Sequence, residues 1–104
     1  MDGNFEMMIN TVLERIAQGY AAAKNEWLAD KRNAFKDGKF LAYYEAKEAL
    51  NRALNAEDFD GALEQIARLY NRAKAEWKAD RKNLFKDGRF LACFEILNMI
   101  PAAI

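Results

Sequence analysis

Residues 13–45 and 63–95 are two versions of one sequence. Aligned without a gap at an offset of fifty, LERIAQGYAAAKNEWLADKRNAFKDGKFLAYYE and LEQIARLYNRAKAEWKADRKNLFKDGRFLACFE agree at 20 of 33 positions. Leu13/Leu63, Ile16/Ile66, Tyr20/Tyr70, Trp27/Trp77, Phe35/Phe85, Gly38/Gly88 and Phe40/Phe90 all recur. A repeat at fixed spacing constrains architecture before local propensity does, because each copy is one supersecondary unit that must bury its apolar face against the other. The 104 residues read as a single domain, with one repeat over about residues 5–54 and the other over about residues 59–104.

Periodicity makes each copy helical. Phe5, Ile9, Val12, Ile16, Tyr20, Ala23 and Trp27 are spaced by threes and fours, which puts them on one face of a helix. This first helix is expected to start near Asp2 or Asn4 and to end near Phe35 or Lys36, where Asp37 and Gly38 suit a tight turn. A shorter helix follows over about residues 39–54, with Phe40, Leu41, Tyr44, Leu50 and Leu54 inward. Residues 55–60 form the link, and Asp58 or Asp60 caps the third helix beside Phe59. Leu63, Ile66, Tyr70, Ala73, Trp77 and Leu84 mark that helix. Phe90, Leu91, Phe94, Leu97 and Ile100 mark the fourth, and Pro101 stops it. The expected fold is all-α: two tandem helical hairpins forming an up-down four-helix bundle or a short helical-repeat array. The long first helix then overhangs its partner at Phe5, Met8, Ile9 and Val12. Either the end of the chain (Ile96, Met99, Ile100, Ile104) covers that face or it is a docking surface, for instance in a homodimer.

Composition excludes much chemistry. The chain has no His, no Ser, one Thr (Thr11) and one Cys (Cys93). A Ser-His-Asp triad or a Cys/His zinc site cannot be assembled from these residues. A lone cysteine forms no internal disulfide, which fits a reducing, cytoplasmic setting. The opening residues carry neither a basic segment nor a long apolar run, so neither a signal peptide nor a membrane partner is expected. Formal net charge is zero.

Charge is nevertheless uneven. Lys31, Arg32, Lys36 and Lys39 stand against Asp37 in one copy, and Arg81, Lys82, Lys86 and Arg89 against Asp87 in the other, each a local sum of +3. With both turns at one end, these eight residues make a basic tip suited to phosphates or an acidic partner. The blander account is that they complement helix C-terminal dipoles and keep the tip solvated. A polar stripe follows beside them: Glu26, Asp30 and Asn33, repeated as Glu76, Asp80 and Asn83. Like charges four residues apart on a helix repel, so each copy needs a cation from a neighbouring helix, a partner or a divalent metal. Trp27, Trp77, Tyr20 and Tyr70 lie on the buried stripe by spacing. Tyr43, whose counterpart is Cys93, is the aromatic expected to be exposed for contact.

The phrases at residues 58–64 and 85–90 resemble the turn and second helix of tetratricopeptide repeats, but that family's period of about 34 residues does not match an offset of fifty. Glu45-x-x-Glu48 is similar to the Mg²⁺-binding pairs of all-helical nucleotide pyrophosphohydrolases. Its counterpart, Glu95-x-x-Asn98, breaks the pattern. In outline the chain resembles the small helical-hairpin RNA-binding regulators of plasmids, which pair two hairpins as a dimer. The leading expectation is a small non-enzymatic binding protein, a regulator, adaptor or inhibitor of a larger protein, with no cofactor and no metal. A nucleic-acid-binding regulator using the basic tips is the alternative, and a Mg²⁺-dependent helical enzyme the second.

Overall fold

A computed structural model describes residues 3–100, apart from the side chains of residues 3–6 and 8. Four helices account for nearly all of them: α1 (Gly3–Ala29), α2 (Ala34–Asn55), α3 (Phe59–Ala79) and α4 (Leu84–Asn98). Within the described residues there is no strand. None of these helices is long and apolar enough to cross a membrane.

The stripe read on α1 is the buried one: Ile9, Val12, Ile16 and Ala23 are all nearly inaccessible. Ala62, Ile66 and Ala73 are their equivalents on α3. Ring contacts show the chain folding back at each turn. Tyr20 lies 5.5 Å and Trp27 5.0 Å from Phe40, early in α2. Tyr70 and Trp77 meet Phe90, early in α4, at 5.7 and 4.7 Å.

The turns are not where glycine placed them. The break falls at residues 30–33 and 80–83, and Gly38 and Gly88 are the fifth residues of α2 and α4. Asparagine makes the difference. Asn33 (φ −84°, ψ 107°) is extended, and its side chain accepts a hydrogen bond from the Lys36 amide at 3.1 Å. Asn83 does the same for Lys86 at 3.0 Å. An asparagine in this role satisfies one of the orphan donors of a new helix. No glycine of the described residues has a positive φ. Only Glu57 (φ 55°) does. It closes α2 in a Schellman turn, with Glu57 N–H donating to Leu54 O and Asp58 N–H to Ala53 O. Asp58 then caps α3 through the Gly61 amide at 2.9 Å.

The glycines serve the packing instead. A Cβ on Gly38 would be driven into the carbonyl oxygen of Phe85, and one on Gly88 into that of Phe35. The backbones of α2 and α4 therefore touch near their N-termini. Below that point α2 buries Ala42, Ala46, Ala49 and Ala53, and α4 buries Ala92, Cys93 and Ile96. This is the most extensive contact in the molecule; α1 flanks α2, α3 flanks α4, and α1 touches α3 and α4 only slightly. Most of the buried residues of these two helices are small, and several large ones are left outward. Leu41, Tyr44, Leu91 and Phe94, expected inward, are 36%, 46%, 41% and 47% exposed, and Leu84 is also exposed. Leu50 is buried as expected.

The overhang is covered where it is described. Ile9 and Val12 are buried, and Met99 and Ile100 pack against the cluster that contains Val12. The expectations for Phe5, Met8, Pro101, Ile104 and the first cap fall outside the described residues.

Replacing a mid-helix glycine by alanine normally adds up to about 1 kcal/mol. At Gly38 or Gly88 the obstacle is backbone carbonyl, which cannot rotate away. Gly38→Ala and Gly88→Ala are each expected to cost about 3 kcal/mol in urea unfolding. A gain in stability would show that α2 and α4 do not touch there.

Candidate functional site

Because Gly38 and Gly88 bring the starts of α2 and α4 together, the two turns lie at one end. The basic tip therefore exists as a place, but most of its charges are engaged. Lys31 sits 5.4 Å over the Trp27 ring, and Arg81 5.0 Å over Trp77. Each indole is also stacked by Phe40 or Phe90, at interplanar angles of 24° and 25°. Trp27 and Trp77 are thus half-buried, between a phenyl ring and a cation. The Trp77 indole N–H donates to Asp87 Oδ1 at 2.5 Å.

Some of the remaining cations pair with the polar stripe. Lys36 pairs with Asp30 and Lys86 with Asp80, both at 3.5 Å. Asn33 also donates to Asp30, at 3.2 Å. At Asp30 and Asp80 the charge of the stripe is therefore offset from within. These lysines occupy helix N-terminal turns, where the dipole disfavours cations, so the dipole account of the tip does not hold for them. Their placement follows from the carboxylates. Arg32 and Lys82 are exposed, with no ion pair or ring contact among the described residues.

Arg89 is the most constrained charge. Its side chain, 11% exposed, reaches Glu76 on α3 at 2.7 Å and Glu45 on α2 at 3.1 Å, tying three helices together. It donates to Glu76 Oε2 at 2.7 Å and to Glu45 Oε2 at 3.2 Å, while Glu45 Oε1 lies in charge contact without a hydrogen bond. The counterpart, Lys39, makes one pair, to Glu95 at 3.6 Å. Glu26, the counterpart of Glu76, is exposed.

Tyr43 is not available for contact: it is 4% exposed. Its ring lies against Gly19, where any Cβ would collide with it. The second copy has Leu69 and Cys93 at these positions, so bulk sits on the first helix of that hairpin and the small residue on the second. Burial pushes the Tyr43 hydroxyl up to about 12, with Glu95 and Cys93 adding to it. Burial likewise raises the Cys93 thiol to about 11; Arg89 opposes the rise, and Glu45 and Glu76 add to it. Cys93 is a packed, protonated thiol rather than a nucleophile.

Among the described residues, no three His, Cys, Asp or Glu side chains converge as metal ligands. One open cavity of about 510 Å³ lies between α2 and α3, lined in part by Tyr44, Glu48, Arg52, Arg68 and Arg72. Sequence reading missed it. Its only trace there is that the arginines break the repeat. Comparison with protein families, curated proteins and solved structures finds no match, so residue roles rest on the geometry.

Arg89→Ala strands two carboxylates and is expected to cost about 3 kcal/mol. Lys39→Ala, with one longer and more exposed pair, should cost about 1 kcal/mol or less. Equal losses in urea unfolding would deny Arg89 its three-helix role. Alkali provides a second check. Both Cys93 and Tyr43 hold their protons more tightly when folded, so their contribution is complete below their ordinary values of 9.0 and 10.0. It declines as pH rises toward 11 and 12. Stability should therefore fall over that window, and Tyr43→Phe should flatten the part above pH 10.

Proposed function

We propose that this chain is a non-enzymatic binding protein: an internally duplicated pair of helical hairpins in up-down order that displays a repeated apolar surface to a protein partner. In this reading it regulates, adapts or inhibits a larger protein in the cytoplasm. The observation that carries it is the exposure of Leu41 and Tyr44 on α2 together with Leu91 and Phe94 on α4. These pairs recur at an offset of fifty, each at i, i+3, so each pair sits on one side of its helix. A single exposed leucine means little. Large apolar side chains left outward at the same positions of both copies, while alanines fill the interface, mark a surface suited to contact.

The nucleic-acid reading is weaker, because Lys36, Lys39, Lys86 and Arg89 already pair with carboxylates. It keeps Arg32 and Lys82, which occupy equivalent turn positions and remain open.

Affinity purification from native cells tests the two together. A protein partner should be recovered by the unaltered chain and reduced at least about tenfold by Leu41→Asp/Leu91→Asp, with helicity unchanged by circular dichroism. Arg32→Glu/Lys82→Glu should leave recovery intact. Recovery of RNA or DNA that this second variant abolishes would replace the proposal with the nucleic-acid reading. A dimer by light scattering, dispersed by the aspartates, would make the partner a second copy.

A further inference from the structure

The cavity between α2 and α3 carries arginines that the repeat does not share. Arg52, Arg68 and Arg72 line it, and the residues fifty positions away are Ala102, Gln18 and Ala22. The hairpin pattern does not itself demand arginine at these positions. Arg68 is held by Glu64 at 2.6 Å. Arg52 and Arg72 are exposed and make no ion pair among the described residues. Arg68 and Arg72 stand four apart on α3, where like charges repel unless an anion joins them. Glu64 offsets Arg68 and Glu45 is already bound to Arg89, so Arg52 and Arg72 face only Glu48 in the lining.

The rest of the cavity is not a bare anion site. Tyr44 turns a half-exposed ring toward it, and Leu69 supplies apolar wall. At about 510 Å³ it is far larger than an inorganic phosphate needs and within the range of small-molecule sites. A guanidinium cluster favours phosphate oxygens through paired, charge-assisted hydrogen bonds. A flat ring stacks on tyrosine. Glu48 accepts hydrogen bonds from a hydroxyl or an exocyclic amine.

We propose that the α2–α3 cavity binds a small aromatic phosphate of the nucleotide class, with the phosphate on Arg52, Arg68 and Arg72 and the ring against Tyr44. This goes beyond the protein-binding reading. The two share Tyr44 but otherwise use different residues.

The test is a titration of the ¹⁵N-labelled full chain with AMP, GMP, CMP and UMP, followed by NMR, with adenosine and inorganic phosphate as separate arms. At least one nucleotide should give saturable shifts at Tyr44 and at the arginine Nε–H groups. Adenosine and phosphate should each bind at least about tenfold more weakly than the best nucleotide, because each lacks half of the contacts. Arg52→Ala/Arg72→Ala should weaken that nucleotide at least about tenfold while leaving the melting temperature unchanged or higher. Leu41→Asp/Leu91→Asp should leave nucleotide binding intact, which separates this site from the partner surface. The proposal is overturned if no nucleotide gives saturable shifts by about 5 mM, a free energy near −3 kcal/mol. It is also overturned if the arginine variant binds as before, or if phosphate alone matches the best nucleotide.

Discussion

The rest of the structure depends on the distance between two helix backbones. α2 and α4 meet where each has a glycine, and the carbonyl of one fills the space a side chain would take on the other. That approach is possible only because Ala42, Ala46 and Ala49 on α2 and Ala92 on α4 continue the narrow face. Close packing of small residues gives many weak contacts at short range rather than a few large buried groups. It also determines what remains outside. With alanine at the interface, the bulky residues of α2 and α4 turn outward or toward the flanking helices, and the two turns are held at one end.

The copies are alike in plan and different in execution. Gly19 with Tyr43 and Leu69 with Cys93 supply bulk from opposite helices of their hairpins. Lys39 and Arg89 occupy matched positions, yet only arginine, with its rigid fork of donors, bridges two carboxylates on two other helices. In the second hairpin this joins α2, α3 and α4; in the first, the matching Glu26 is left at the surface. The framework is therefore shared, while the departures from the repeat are spread over all four helices.

Much of this was legible in the sequence. The helices and the inward stripe of Ile9, Val12 and Ile16 follow from local spacing; the cap narrows from Asp58 or Asp60 to Asp58. Other features were hidden for definite reasons. Glycine commonly ends helices, which points to a turn at Gly38, but Asn33 begins a new helix five residues earlier through its own side chain. The inner face of α2 was assigned by bulk, and a face made of glycine and alanine gives no such signal. Tyr43 was read as exposed because its counterpart is small. Its burial depends on the missing side chain of Gly19, twenty-four residues away on another helix. The cavity needs two helices placed against each other, and no one-dimensional pattern contains that.

The seam between α2 and α4 carries a further implication for association between molecules. Two strips that fit one another within a chain will also fit the corresponding strips of another chain. The hinge at residues 56–58 is short and includes Glu57 in a left-handed backbone that favours glycine. Were that hinge to straighten, one hairpin could leave its own twin and pair with the hairpin of a neighbour, exchanging partners without losing a contact. Folding at high concentration would then compete with a swapped dimer made of the same interfaces, and hinge length would set the balance between them.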